Sequence, residues 1–145
     1  MASWRDLRRL ALALPGTSEE GTDDKNLSWK VKGKGFAWQR PLRRADLEAL
    51  GKKAPTGPIL GVRTADLEMK EVLLASDPAV YFTTPHFDGY PALLVRLTKI
   101  SVKELKSLLV EAWLARAPDR VAKEFLHEKT PPRKSRKAGA ARAKR

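Results

Sequence analysis

The segment Leu27-Ser28-Trp29-Lys30-Val31-Lys32-Gly33-Lys34-Gly35-Phe36-Ala37-Trp38-Gln39-Arg40 decides the class of fold. Leu27, Trp29 and Val31 alternate with Ser28, Lys30 and Lys32. Successive side chains of a strand leave opposite faces, so this period of two predicts a strand with one face buried. Gly33-Lys34-Gly35 is the expected turn, and Phe36 and Trp38 resume the alternation beyond it. The whole reads as a β-hairpin with basic residues at its tip and along one face.

Upstream, Ser3 stands three residues before Asp6, and Leu7, Leu10, Ala11 and Leu14 follow at the spacing of a helix with one apolar stripe. Pro15-Gly16 stops it, and residues 17–25 (TSEEGTDDK) are polar turn formers expected to make a loop. Downstream, residues 44–50 predict a short helix ended by Gly51, and 54–58 a loop. Residues 59–63 predict a third strand, and 66–75 a helix capped by Thr64 or Asp66 and stopped at Asp77-Pro78. Two β-rich runs, 80–83 and 92–97, flank the loop 84–91 as a second hairpin with a long connection. Ser101 and Glu104 form a capping-box pattern ahead of a long helix with Leu105, Leu108, Leu109, Ala112 and Trp113 on its apolar face. Such a stripe is assigned to the core. Pro118 marks a kink or a fresh start, with Val121 and Phe125 continuing the burial.

The resulting order is α-β-β-β-α-β-β-α, without the strand–crossover–strand alternation of a parallel sheet. The expected fold is α+β, a two-layer sandwich with helices packed on one face of an antiparallel sheet.

Charge divides the chain unevenly. Residues 129–145 carry eight Lys or Arg and no acid, whereas residues 1–128 hold 21 basic and 17 acidic side chains, so the net +12 splits into +8 and +4. The expectation is one domain over 1–128 and a disordered basic tail over 129–145, because the tail has no aliphatic side chain larger than Ala with which to offset its ordering entropy. There is no cysteine, which excludes disulfides, thiolate catalysis and thiolate zinc sites. The apolar run Leu10 to Leu14 is shorter than a signal sequence needs, and no run approaches the ~20 residues of a membrane span, so a cytoplasmic protein is expected.

Three motifs occur in an order that resembles the MmcQ/YjbR-like family: Gly33-Lys34-x-Phe36-Ala37-Trp38, Gly61-Val62-Arg63, and Phe82-Thr83-Thr84-Pro85-His86-Phe87-Asp88-Gly89-Tyr90-Pro91. Glu111-Ala112-Trp113 and Arg116-Ala117-Pro118 extend the resemblance, which spans about residues 3–127 and leaves out the tail. It implies a two-layer fold with an antiparallel sheet and a winged surface of the kind described as DNA-binding. It supplies no catalytic residues.

Three candidate sites emerge. In the tail, Arg133, Lys134, Arg136, Lys137, Arg142, Lys144 and Arg145 could each neutralise a phosphate and release a counterion, or simply solubilise the chain. On the hairpin, Lys30, Lys32 and Lys34, with Arg40, Arg43 and Arg44 beyond and Arg63 on the next strand, fit a basic ribbon lying along a phosphate backbone. Lysines there also protect a sheet edge from aggregation. Trp29, Phe36 and Trp38 could stack on bases, although their period-two placement suits core packing for at least two of them. In the third site, two prolines, a glycine and three rings within 84–91 describe a shaped loop. His86 and Asp88 could share a charge-assisted hydrogen bond beside Tyr90, with Trp38 added from the hairpin, or Asp88-Gly89 could merely turn the chain. The remaining histidine, His127, is too distant in sequence to support a metal site.

These features predict a non-catalytic nucleic-acid-binding protein that reads little base sequence and needs no cofactor or metal. The rival expectation is a protein-interaction or small-anion-binding domain using the sheet face and the 84–91 loop. An enzyme is not expected, because no phosphate loop, no activated nucleophile and no carboxylate–histidine cluster beyond one pair is present. Oligomeric state is not encoded in any of these patterns.

Overall fold

The structure is a computed structural model that describes residues 2–21 and 26–129. The sequence-based expectation of a disordered tail therefore falls almost entirely outside the described residues. A six-stranded sheet, antiparallel at every pairing, runs in the order β1-β2-β3-β4-β6-β5. Its strands are β1 (Thr17–Glu20), β2 (Ser28–Val31), β3 (Lys34–Gln39), β4 (Ile59–Arg63), β5 (Tyr81–Phe82) and β6 (Ala92–Arg96). The helices are α1 (Trp4–Leu12), α2 (Arg44–Leu50), α3 (Leu67–Ser76), α4 (Val102–Arg116) and α5 (Asp119–Lys129).

Alternation along the strands sends two sets of side chains to two faces. Trp29, Val31, Leu60, Val62, Tyr81, Leu93 and Val95 enter the main core beneath α1 and α4, where Leu7, Ala11, Leu105, Leu109 and Trp113 meet them. Burying each large apolar side chain contributes about 1.5–3 kcal/mol, so this layer dominates stability. Ile59, Phe82, Ala92 and Leu94 leave from the other face and form a smaller cluster. Phe87, Trp38, Leu42 and Leu50 of α2 pack on it and Arg96 lies over the Phe82 ring, so the longer helices lie on one side and a thin layer of turns and α2 on the other.

Caps explain the helix starts. Ser3 Oγ accepts from the Asp6 N–H, and the Asp6 carboxylate accepts from the Ser3 N–H at 3.0 Å, a complete capping box. Ser101 caps α4 by accepting from the Glu104 N–H at 3.1 Å. Glu104 does not close the box expected there. Its carboxylate accepts instead from the Tyr81 hydroxyl at 2.5 Å, tying α4 to β5. Burial, followed by that hydrogen bond and the nearby charges of Glu104 and Asp77, pushes the Tyr81 phenol above its ordinary pKa.

Three local expectations need correction. The polar stretch 17–25 was expected to be loop, yet Thr17–Glu20 pairs with β2 as an edge strand. The open edge of β2 supplies its hydrogen bonds, Glu20 pairs with Lys30 at 2.9 Å, and Glu19 accepts from both Arg8 and the Trp29 indole. The hairpin turn lies at Lys32-Gly33, where φ is 48° and 83°, rather than at Gly33–Gly35. Two successive positive φ values are what a two-residue type I′ turn requires. Finally, Trp29 faces Ala37 while Lys30 faces Gly35, which leaves Phe36 as the extra residue of a β-bulge. Phe36 and Ala37 both enter the main core, and Trp38 is re-aimed to the second face instead of sharing a face with Phe36.

Candidate functional site

The bulge thereby places Trp38 in a cavity of about 570 Å³ on the second face. One wall is the segment from Gln39 to Arg43, and the other is the turn carrying His86, Phe87 and Tyr90. The indole rests against Gly61, where an added Cβ would fall 2.4 Å from the ring. A glycine is therefore required at 61 for Trp38 to lie where it does.

The opposite wall is built by hydrogen bonds to backbone. Pro85–Phe87 form one 3-10 turn, the Asp88 N–H donates to the Pro85 carbonyl at 3.1 Å, and Gly89 takes φ 75° to redirect the chain. Lys70 of α3 reaches beneath this turn and donates its ammonium to the Phe87 carbonyl at 2.6 Å and the Tyr90 carbonyl at 2.9 Å. It is buried, and desolvation pushes its pKa below the ordinary lysine value against the opposing fields of Asp88 and Glu71. Sequence reasoning missed Lys70. The available signal was its position three and four residues before Leu73 and Leu74, on the inward side of α3.

Replacing Lys70 by Met is expected to cost about 2–3 kcal/mol, because charge-assisted bonds are lost and two carbonyls lose their donor. Denaturant unfolding reads the loss, and amide exchange should show protection falling first within 84–91. An unchanged transition would mean that water satisfies those carbonyls without the lysine.

The structure treats the predicted basic residues differently. Lys30 lies on the second face, where its Nζ contacts Glu20 at 2.9 Å. Arg44 lies 3.7 Å from Glu48 in an exposed i,i+4 pair. Arg40, expected on an exposed ribbon, is buried: it lies 3.0 Å from the Asp46 carboxylate, donates to the Pro41 carbonyl and stacks on Phe87. Lys32 and Lys34 occupy the hairpin tip, and Arg43 lines the cavity. Arg63 lies on the second face with its guanidinium 5.1 Å from the centre of the Tyr90 ring, and it also donates to the Tyr90 hydroxyl at 3.1 Å. Lys32, Lys34, Arg43 and Arg63 pair with no carboxylate among the described residues. Arg133, Lys134, Arg136, Lys137, Arg142, Lys144 and Arg145 lie outside the described residues.

Of the loop candidates, Trp38, His86 and Tyr90 do converge on the cavity. Asp88 does not join them: the His86 ring packs edge-on against Phe87, and the charge of Asp88 acts on Lys70. Of the two readings of this loop, the His86–Asp88 hydrogen bond does not form, and Gly89, at φ 75°, turns the chain. Trp29 and Phe36 are fully buried and unavailable for stacking on a ligand. Among the described residues, no group of three or more His, Asp or Glu side chains is clustered to hold a metal ion.

Fold and site together define a class: a single-sheet α+β protein whose thinly covered face holds a cavity lined by Trp38, His86 and Tyr90 beside Arg43, which pairs with no carboxylate among the described residues. The YjbR family model matches residues 12–115, and the chain belongs to that family. It is 50% identical over 129 residues to the uncharacterized protein Rv2570 of Mycobacterium tuberculosis, an alignment covering 87% of this chain and 97% of the relative. The uncharacterized protein Mb2600 of Mycobacterium bovis matches equally. Among solved structures, Deinococcus radiodurans protein DR2400, a DUF419 domain, superposes with TM-score 0.58 at 22% identity, covering 79% of this chain and 78% of its own. That likeness supports the fold. Among the described residues no helix is long and apolar enough to cross a membrane.

Proposed function

We propose that this YjbR-family chain is a non-catalytic nucleic-acid-binding module that acts mainly through phosphate contacts, with little base-sequence specificity. The observation that carries the reading is the division among its cations. Lys30, Arg40 and Arg44 are engaged by carboxylates, whereas Lys32 and Lys34 at the hairpin tip, with Arg43 and Arg63 beside the cavity, face none among the described residues. The contact set is therefore narrower than the ribbon expected from sequence. Beyond α5, residues 130–145 add seven further cations and no acid, which suits an auxiliary anchor for the same polyanion. A cytoplasmic location belongs to the same proposal.

The test is a titration of duplex DNA across a range of salt. Log affinity should fall with log salt by a slope near −0.9 per phosphate contact, and deleting residues 130–145 should flatten that slope. Binding of neither duplex nor single-stranded DNA at low salt removes the reading.

The cavity itself favours a second reading, in which the body captures a small anion or a protein segment around His86 and Tyr90. Under that reading His86→Ala weakens binding and removal of 130–145 does not.

A further inference from the structure

We infer that the cavity beside Trp38 is a receptor for an unpaired nucleobase, with Arg43 and Arg63 placed for the adjoining phosphates; this inference rests on the nucleic-acid reading above. Its size falls within the roughly 300–1,000 Å³ typical of small-molecule sites, at about 570 Å³. Its chemistry is that of a stacking site with a polar edge. The Trp38 indole is fixed in place by its contact with Gly61. Tyr90 is 44% exposed and His86 is also exposed, so two ring surfaces remain unburied at the opposite wall. A monomer gains nothing from leaving such rings in water, whereas a base stacked on them would desolvate both partners.

Gln39 contributes a side-chain amide to the cavity wall. Gln39 accepts the Leu27 N–H on its Oε1, which leaves its amide N–H groups as the remaining capacity. The charge is arranged to match a nucleotide. Arg43 lines the cavity, and Arg63 stacks on the ring of Tyr90, a residue of the cavity wall, and donates to its hydroxyl. Arg40, the third guanidinium near the cavity, is neutralised by Asp46 and so serves as wall.

The concave shape decides between paired and unpaired strands. A base within a duplex shows only its edges in a groove, so a cavity flanked by rings can receive one only when it is unstacked. The protein should therefore prefer single strands, or bulged and frayed ends, over continuous duplex.

The experiment compares three probes on the full-length protein: a single strand of about 10 nucleotides, a strand of the same length with abasic sugars, and the corresponding duplex. Equal charge on the two strands isolates the contribution of the bases. The base-bearing strand should bind roughly tenfold or more tightly than the abasic strand. Tyr90→Leu should largely abolish that difference, and affinity for the abasic strand reads out separately any displacement of Arg63, whose guanidinium donates to the Tyr90 hydroxyl. His86→Ala, at an exposed position, provides an independent variant should Tyr90→Leu disturb the turn. Thermal unfolding establishes that each variant is folded before it is titrated. Equal affinity for both strands with a steep salt slope overturns the base receptor and leaves the phosphate reading standing. No binding of any probe at low salt overturns both.

Discussion

Asp46→Ala is expected to destabilise the fold by about 3–5 kcal/mol, the range for removing one partner of a buried ion pair. The side chains of Arg40 and Asp46 are only 7% and 4% exposed, and the pair is 3.0 Å apart. Removing the carboxylate strands a guanidinium in the protein interior, where the Pro41 carbonyl alone cannot compensate a full charge. It also uncaps α2, because Asp46 accepts the Arg43 N–H at 2.8 Å. Replacing both members together, Arg40→Met with Asp46→Leu, should recover most of the loss, since the remaining volume is then apolar and carries no orphan charge. Urea unfolding of the two variants measures both quantities. A loss below about 1 kcal/mol for the single variant would place the pair among solvated surface bridges instead.

The same carboxylate sets an acid limit. Burial acts against the ionised form of Asp46, but the Arg43 N–H and the charge and hydrogen bond of Arg40 outweigh it and hold the pKa below the ordinary 3.8. A lowered folded-state pKa means that the unfolded chain takes up the proton first as pH falls. The stabilisation is therefore present above pH 3.8 and is lost progressively as pH drops through the depressed folded value. Asp46→Asn should show a shallower loss of stability across that acid window.

Trp113→Ala is the second large expectation, again about 3–5 kcal/mol, here through loss of buried area and the cavity left behind. Trp113 is fully buried on α4, and its indole N–H donates to the Pro15 carbonyl at 3.0 Å, joining residues 98 apart. Its ring also lies 4.9 Å from that of Phe125, through which α5 docks on the body. Loss of the indole should therefore release α5 and the turn after α1 before it releases the sheet. Amide exchange should show protection falling in 119–129 ahead of β4 and β6. Trp113→Phe keeps a buried ring but loses the hydrogen bond and part of the ring volume, so a smaller cost of about 1–3 kcal/mol is expected. If α5 and the central strands lose protection together, the helix is part of one cooperative unit and the hierarchy is wrong.

Both residues illustrate how unevenly the architecture could be read from the chain. Trp113 announced itself, because Leu105, Leu108, Leu109 and Ala112 share its helical stripe and a stripe of that width has to be buried. Arg40 did not. The stretch Trp38-Gln39-Arg40-Pro41-Leu42 has no clean periodicity that would mark Arg40 as buried, and its pairing with Asp46 and contact with Phe87 bring it inside. Lys70 escaped notice for the same reason, its two acceptors lying 17 and 20 residues further on. The strand Thr17–Glu20 carried no apolar alternation, since an edge strand with polar side chains draws its order from its partner.

Periodicity and caps, which are properties of residues within a turn or two of one another, were enough to determine the α+β class, the central hairpin, most strands and the helix starts. The site was decided elsewhere. One extra residue at Phe36 turns Trp38 to the opposite face, a buried lysine props the turn at 85–90, and carboxylates engage Arg40 in the interior and Lys30 at the surface. Each depends on which distant strand or helix supplies the partner, and that pairing exists only once the sheet has closed its register.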